Sequence, residues 1–319
     1  MNKLLIIKTS SLGDVIHAMP ALSDIRQHRP DLTVDWVVEE AFSVIPRLHP
    51  GIRQVLPIAL RRWRKHLLSA STWKEIKQLK QRLGQQGYDL TLDLQGLIKS
   101  AMVGGWVRGA IHAGYDRESA REPLAALWYG KRQNVSRQLH AVERNRHLAA
   151  QVLGYTFSAP PDYGLTIPAQ LPACAPDKPY AVLLHSTSQT PKLWPEDRWI
   201  RLGLLLHERG LGCVLPGGND QERQRAIRLA QAIPGAVAAP ALALEQVAAL
   251  LGKARCVIGL DTGLTHLATA LHLPVVAIHT VTHPEKTGVF GSLLAVNCGG
   301  HGHIPSVTEV INALPLATP

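Results

Sequence analysis

The sequence predicts an α/β protein with two Rossmann-like domains, each a parallel sheet covered by helices on both faces. Buried strand-like runs alternate with helical stretches along most of the 319 residues. A proline-crowded segment interrupts this alternation once, and the pattern then restarts. Since this length suffices for two domains of ordinary size, we predict a first domain at 1–160, a linker at 161–179 and a second domain at 180–319.

The composition is typical of a soluble globular protein, with 46% hydrophobic and 18% charged residues. No apolar run approaches the roughly 18 residues of a membrane span, and the N-terminus lacks the layout of a signal peptide. We therefore expect a cytoplasmic protein. The four cysteines form no CxxC pair and are expected to be reduced core residues.

Positive charge is concentrated in the first half of the chain. Residues 1–160 hold 23 Lys and Arg against 13 Asp and Glu, a net charge of +10, whereas residues 161–319 hold 11 of each. A basic half beside a neutral half predicts an anionic partner for the first domain. Nucleic acid, acidic lipid and an acidic small molecule all remain open on charge alone.

The first strand is predicted at Lys3–Lys8, and the helix after it has apolar residues at helical spacing. Pro20 is expected to kink this helix or to separate two shorter ones. Between strand and helix, Gly13 would allow a ligand to approach closely, and Asp14 falls where open α/β sheets bind ligands. A role for Asp14 as a helix N-cap is an equally good interpretation at this point. The other elements predicted in this domain are strands at 33–38, 54–58, 89–94 and 110–115 and a helix at 73–83.

The run RRWRK at 61–65 places four cations in five residues between two predicted elements. A solvated basic face is the commoner meaning of such a run. Arginine, however, suits the bidentate recognition of carboxylates and phosphates, and the charge asymmetry favours an anion site here. Gln95, at the end of a predicted strand, and Arg121, in a polar loop, are weak indications of the same site.

In the second domain, polar side chains follow several predicted strands. Thr187, Ser188 and Lys192 lie in one loop, and Glu222 lies after the next strand. Because the carboxyl ends of parallel strands line one crevice, we expect these side chains to lie near the turn at 261–266. The elements predicted here are strands at 180–184 and 211–215 and helices at 195–209, 244–251 and 305–314.

The stretch at 256–279 predicts a βαβ unit with a strand, a short polar turn, a helix at 262–271 and a second strand at 275–278. Small residues at the helix entry leave its first backbone N–H groups uncovered, which suits phosphate binding. His266 could reach the same anion or a ribose hydroxyl. A capped helix with Thr265 and His266 on the surface is an equally good interpretation.

Missing motifs exclude several functional classes. The loop at 9–14 is not the GxGxxG of dinucleotide-dependent oxidoreductases, and no GxxxxGK[ST] is present. His301 and His303 lack a Cys or carboxylate spaced to complete a metal site, so we expect no metal. An RNA-binding motif is absent, and 5% aromatic residues offer little for base stacking.

Seven segments carry a resemblance to a known family. They are KTSSLGD at 8–14, RRWRK at 61–65, DLQGLIKS at 93–100, SAREPL at 119–124, HAVER at 140–144, KLWP at 192–195 and DTGLTH at 261–266. In this order they resemble the bacterial lipopolysaccharide heptosyltransferase family, and RRWRK and SAREPL point to its type I members. The resemblance implies a GT-B fold, with two Rossmann-like domains facing each other across a central cleft. It also implies an inverting glycosyltransferase of inner-core synthesis that needs neither metal nor cofactor. This enzyme would move L-glycero-D-manno-heptose from ADP-heptose to the Kdo region of Kdo2-lipid A.

The same resemblance implies roles for individual residues. Asp14 would act as the general base, and Lys192 with the N–H groups of Thr262 and Gly263 would hold the diphosphate as it leaves. Glu222 would accept hydrogen bonds from ribose hydroxyls. The remaining donor-binding residues would be Thr187, Ser188, Asp261 and His266. The acceptor-binding residues would be Ser10, Gly13, Arg61, Arg62, Arg64, Lys65, Gln95 and Arg121.

The implied partners are a nucleotide-sugar donor and an anionic glycolipid acceptor, with peripheral contact on the cytoplasmic face of the inner membrane and no nucleic acid. Ser188 stands where the family more often has Thr, and it keeps the hydroxyl. Two alternatives stay open. One is a related GT-B transferase with a different nucleotide sugar or acceptor, and the other is a non-enzymatic anion-binding or RNA-binding protein.

Overall fold

Two compact units, each built on a six-stranded sheet, form the fold. A computed structural model describes residues 1–315, with the first unit at Met1–Leu165 and the second beginning at Thr166. All strand pairs within both sheets are parallel. The strands are β1 Lys3–Ile7, β2 Thr33–Glu39, β3 Gln54–Ile58, β4 Leu90–Asp93, β5 Ile111–Tyr115, β6 Lys131–Gln133, β7 Tyr180–Leu184, β8 Gly212–Leu215, β9 Val237–Ala238, β10 Cys256–Leu260, β11 Val275–His279 and β12 Ala295–Gly299.

Both sheets have the Rossmann strand order. The first runs β3-β2-β1-β4-β5-β6 and the second β12-β11-β10-β7-β8-β9, so the two units repeat one topology. In each sheet the order reverses between the unit's first and fourth strands, which is where such sheets bind ligands at their carboxyl ends. The predicted pair of doubly wound domains is therefore confirmed.

Thirteen α-helices among residues 1–315 cover the sheets. They are α1 Leu12–Ile16, α2 Met19–His28, α3 Val44–Arg47, α4 Leu60–Lys65, α5 Ala70–Gln85, α6 Ile98–Gly104, α7 Ala141–Leu153, α8 Glu196–Glu208, α9 Asp220–Ala232, α10 Leu244–Gly252, α11 Gly263–Ala270, α12 Pro284–Thr287 and α13 Val307–Asn312. Pro20 lies in the first turn of α2, where a missing N–H costs no hydrogen bond, so the two shorter helices are the correct alternative.

The basic run at 61–65 is helical rather than a connection between elements, which corrects the sequence interpretation. It forms α4 because Trp63 turns inward, is almost fully buried and packs with α5 and α6 on one face of the first sheet. The indole Nε1 of Trp63 donates to Glu75 Oε2 at 2.7 Å, which fixes α4 against α5. The cations on either side of Trp63 are thereby held outward.

In the second unit, one part of the core lies between the sheet and α8, α9 and α13. Trp194 and Trp199 are fully buried there, with their rings edge to face at a centroid distance of 5.1 Å. The indole Nε1 of Trp194 donates to Pro305 O at 2.9 Å. This packing fixes the segment that follows Lys192, and so sets the position of one end of the loop at 185–192.

Candidate functional site

Asp14 lies on α1 at the carboxyl end of β1. Its Oδ2 accepts hydrogen bonds from the backbone N–H of Ser11 at 2.8 Å and from the Ser11 hydroxyl at 2.9 Å. Ser11 is the N-cap of α1 and Asp14 is its third residue, so the interpretation of Asp14 as the N-cap is wrong. The carboxylate remains 30% exposed, and Arg121 NH1 lies 3.8 Å from Oδ2.

A small cationic cavity adjoins Asp14. Lys8 is buried in its wall, and its Nζ donates to Leu94 O at 2.6 Å. Burial lowers the pKa of Lys8 to about 8, while the carboxylates of Asp14 and Asp93 oppose this shift. Arg144 lies with its guanidinium 4.9 Å from the centre of the Tyr115 ring. The other lining residues are His17, Gln95, Arg121, Ala141 and Asn145.

Gln95 holds the loop after β1 in place. Its Oε1 accepts from the backbone N–H groups of Thr9 and Ser10, at 3.0 and 3.1 Å. Ser10 is buried beside it, and Gly13 is the second residue of α1. The structure therefore brings the predicted acceptor residues Ser10, Gly13, Gln95 and Arg121 to the strand ends around Asp14.

The cations of α4 have unequal surroundings. Arg62 is paired with Glu40 at 3.2 Å and Glu75 at 3.0 Å. The guanidinium of Arg61 lies 5.0 Å from the centre of the Phe42 ring. Arg64 and Lys65 are exposed. An apolar cavity of about 370 Å³ opens beside them, lined by Ser10, Leu60, Arg61, Trp63, Arg64, Leu67, Ile76, Lys99 and Trp106.

In the second unit, the turn between β10 and α11 holds a half-buried ion pair. Lys192 Nζ donates to Asp261 Oδ2 at 2.9 Å, and His266 Nε2 lies 3.5 Å from Asp261 Oδ1. Burial opposes ionisation of Asp261, but the hydrogen bonds from His266 and Lys192 outweigh it and hold the pKa of the carboxyl well below its usual range. Three of the predicted donor residues are thus in direct contact.

The start of α11 is fixed by buried side chains. Thr262 is the N-cap, with extended backbone, and Gly263 is the first helical residue. Thr265 is fully buried and donates its hydroxyl to Leu260 O at 2.6 Å, and His266 is also buried. The interpretation of Thr265 and His266 as surface residues is therefore wrong, because both side chains are buried.

Glu222 lies in the first turn of α9. Its carboxylate accepts from the Gly218 N–H at 2.7 Å and from Asn219 Nδ2 at 3.0 Å. It borders a cavity of about 610 Å³ that Thr187 and Ser188 also line. On its other side it borders a smaller, mainly apolar slot, whose further lining residues include Leu184, Pro216, Pro240, Leu242, Val247, Thr262 and Leu264.

Sequence reasoning missed the apolar lining of this slot and the cations Lys8 and Arg144. Its leucine, valine and proline side chains give no chemical signal in the sequence, so the slot could not be recognised before folding. Lys8 directly follows β1, although its place at the end of the run KLLIIK predicts a strand residue. The available signals were the segments KTSSLGD at 8–14 and HAVER at 140–144, which contain Lys8 and Arg144.

His301 and His303 do not form a metal site with other side chains. His303 is bonded to Glu309 at 2.8 Å, and His301 stacks on His283 with ring centres 5.1 Å apart. Within residues 1–315, no group of three or more His, Cys, Asp and Glu side chains has an arrangement that could hold a metal ion. No helix in the same range is both long and apolar enough to cross a bilayer.

Comparison with known families gives a match over most of the chain. The model of glycosyltransferase family 9 (heptosyltransferase) matches residues 76–314. The chain belongs to this family. It is therefore a glycosyltransferase, and its resemblance to the heptosyltransferases is confirmed.

The relatives are similar over nearly their whole length. Lipopolysaccharide heptosyltransferase 1 of Pseudomonas aeruginosa is 45% identical over 91% of this chain and 81% of its own. The protein of the same name from Escherichia coli K12 is 42% identical over 91% of each chain. The structure of Escherichia coli heptosyltransferase WaaC with ADP has a TM-score of 0.91 and 38% identity, covering 97% of this chain and 98% of that one. The fold is accordingly GT-B, as the resemblance implied.

Proposed function

We propose that this enzyme transfers L-glycero-D-manno-heptose from ADP-heptose to the Kdo region of Kdo2-lipid A, with inversion at the anomeric carbon. The observation that carries the proposal is the start of α11, where Asp261, next to the N-cap Thr262, holds the ammonium of Lys192 at 2.9 Å. Such a site suits a nucleotide diphosphate leaving group. The structures of Escherichia coli WaaC with ADP and with ADP-2-deoxy-2-fluoro heptose support this choice of donor.

The diphosphate would lie against the N–H groups of Thr262 and Gly263 and the ammonium of Lys192. Asp261 accepts one of the three Lys192 donors, which leaves two donors for phosphate oxygens. As the bond between the sugar and the phosphate breaks, negative charge grows on ADP. The Lys192 charge and the positive end of α11 stabilise that charge, so both act more strongly in the transition state than in the ground state.

The nucleoside would occupy the slot beside Glu222. Its apolar walls, among them Leu184, Pro240 and Leu242, suit a purine ring, and the carboxylate of Glu222 retains lone pairs for ribose hydroxyls. Thr187 and Ser188 would contact phosphate or heptose hydroxyls from the larger cavity. His266 would contact the donor, and its Nε2, 3.5 Å from Asp261 Oδ1, would also help to hold that carboxylate in position.

Asp14 would remove the proton of the acceptor hydroxyl. The hydroxyl oxygen attacks the anomeric carbon, the proton passes to the Asp14 carboxylate, and ADP departs from the opposite face, which inverts that carbon. The hydrogen bonds from Ser11 fix the carboxylate on α1 and so hold its orientation. Lys8, Arg121 and Arg144 would provide positive charge for the acid groups of the Kdo sugars.

The phosphates of the acceptor would meet the cations of α4. We assign the main contacts to Arg61, Arg64 and Lys65, because Arg62 is already paired with two glutamates and must exchange partners to contribute. An acceptor embedded in a lipid leaflet requires the enzyme to work at a membrane surface. We therefore propose peripheral association with the cytoplasmic face of the inner membrane, and no nucleic-acid partner.

Turnover of a panel of nucleotide sugars tests this function. Purified enzyme would be mixed with O-deacylated Kdo2-lipid A in four separate reactions, containing ADP-heptose, ADP-glucose, UDP-glucose or GDP-mannose. The masses of the products would be measured by mass spectrometry. We expect one heptose to be added from ADP-heptose and little product from the others. Preferential use of another sugar would support the alternative transferase, and RNA binding without turnover would support the non-enzymatic alternative.

A further inference from the structure

The connection between α4 and α5 exposes three apolar side chains. Leu67, Leu68 and Trp73 are 53%, 103% and 59% exposed, although they lie within seven residues of one another. The indole Nε1 of Trp73 donates to Leu67 O at 2.8 Å, which ties the aromatic ring to the loop. We call Leu67, Leu68 and Trp73 the apolar tip. These side chains contribute no hydrophobic stabilisation to the fold, because each leaves a large apolar surface exposed to water.

Cations surround the apolar tip. Residues 60–85 contain eight Lys and Arg and a single acid, Glu75, which Arg62 and Trp63 already engage. On α5, the buried residues Thr72, Leu79 and Leu83 face the sheet. Its exposed cations are Lys74, Lys77, Lys80 and Arg82. The segment thus combines an amphipathic helix, a net charge of +7 and an exposed Trp and Leu pair.

We propose that the apolar tip inserts into the surface of an anionic lipid bilayer, with the surrounding lysines and arginines contacting lipid phosphates. Peripheral membrane anchors typically combine Trp and Leu with a cationic amphipathic helix. Each Lys or Arg near an anionic membrane surface strengthens the attraction of the protein to that surface. A bilayer is a better partner than an acidic protein because the apolar tip is continuous with the apolar cavity at α4. Leu67 belongs both to the tip and to the wall of that cavity, next to Ser10, Arg61 and Arg64.

This placement gives the acceptor a direct route. A glycolipid whose acyl chains stay in the bilayer would present its phosphates to Arg61 and Arg64 beside the inserted tip. That part of the inference rests on the proposed function, because it takes the acceptor to be a membrane glycolipid. Binding of the apolar tip to lipid does not depend on it.

Vesicle flotation tests the proposal directly. The parent, a Leu68→Ser/Trp73→Gln variant and a Leu293→Ser control would be floated with vesicles of phosphatidylethanolamine and phosphatidylglycerol, and with phosphatidylcholine alone. Leu293 is as exposed as Leu68 but lies in the second unit. We expect the parent and the control to bind the anionic vesicles, and the double variant to bind about tenfold more weakly, as partial burial of two apolar side chains requires. Little binding to phosphatidylcholine is expected from any of them.

Trp73 supplies a second readout. Anionic vesicles should shift parent tryptophan emission to shorter wavelength, and a Trp73→Phe variant should still float but lose most of that shift. The proposal is overturned if the parent fails to float with anionic vesicles, or if the double variant floats as the parent does. It is also overturned if the double variant still binds vesicles as the parent does and has lost only self-association or binding to an acidic protein.

Turnover of the O-deacylated acceptor, which needs no bilayer, should be equal in parent and double variant. Loss of turnover in the parent itself would instead contradict the proposed function.

Discussion

Arg62 and Arg64 lie two positions apart on α4, yet their surroundings differ. Arg62 pairs with Glu40 and Glu75, whereas Arg64 is exposed and lines the apolar cavity. If the cavity receives the acceptor phosphates, Arg64→Ala should raise the acceptor KM about tenfold and leave the Kd for ADP unchanged, because a charged hydrogen bond is lost. Arg62→Ala should change KM less, since its charge is already compensated.

Steady-state kinetics at two salt concentrations would measure this difference. The acceptor KM of the parent should rise with salt more steeply than that of Arg64→Ala. Salt screens the ionic contact between Arg64 and the acceptor, and the variant lacks this contact. Equal increases in KM for the two variants would show that α4 acts only through its total charge.

At the scale of elements, Gly259 sets how closely α11 approaches β10. A Cβ at this position would collide with Thr265 Oγ1 and lie 2.9 Å from Leu184 Cβ, and both neighbours are buried. Gly259→Ala should therefore displace the start of α11, weaken ADP binding about tenfold and cost about 1–3 kcal/mol of unfolding free energy. Calorimetric titration with ADP and thermal melting would measure both effects.

Gly84 provides the matched control for this substitution. It lies inside α5, and a Cβ there would meet nothing within 4 Å. Gly84→Ala should raise stability by about 0.5–1 kcal/mol and leave ADP affinity unchanged. If Gly259→Ala bound ADP as tightly as Gly84→Ala does, the position of α11 would not matter for the nucleotide.

The elements also show what sequence patterns can predict. Long buried runs such as those of β1 and β10 were found because continuous apolar stretches identify strands of a parallel sheet. Three strands were missed, β6, β9 and β12. The first has the polar sequence KRQ, the second has two residues, and the third is half-buried, so none has the apolar run on which prediction depends.

The same limit applies to the candidate site. Polar residues at strand ends, among them Asp14, Glu222 and Asp261, could be predicted because topology brings strand ends together. The pairing of Lys192 with Asp261 joins residues 69 positions apart, and no local pattern encodes it. The apolar slot is assembled from five separate segments of chain, so only the folded structure identifies it.

At the scale of the whole molecule, two buried histidines should make stability depend on pH. Burial lowers the pKa of His49 and of His185 to about 4, from an ordinary value near 6.5. The unfolded chain binds protons at these sites near pH 6.5, and the folded chain does so only near pH 4. Stability is therefore highest above pH 6.5 and falls as the pH drops toward 4, by about 3 kcal/mol for each group at most.

Urea unfolding at several pH values between 7 and 4 would measure this loss. His185→Phe should reduce the dependence of unfolding free energy on pH, because it removes one of the histidines whose pKa burial lowers. An unchanged dependence in that variant would show that His185 titrates alike in the folded and unfolded chains.

The central claim is that Asp14 takes the proton from the acceptor hydroxyl during heptose transfer. Its most direct test is the kcat of Asp14→Asn with ADP-heptose and O-deacylated Kdo2-lipid A, beside the Kd for ADP and the melting temperature. Asn can still accept the two hydrogen bonds from Ser11, so we expect parent-like melting and ADP binding, with kcat lowered roughly 10² to 10⁴-fold. A variant that keeps more than about a tenth of the parent kcat, well short of that range, would contradict the assignment of Asp14 as the base.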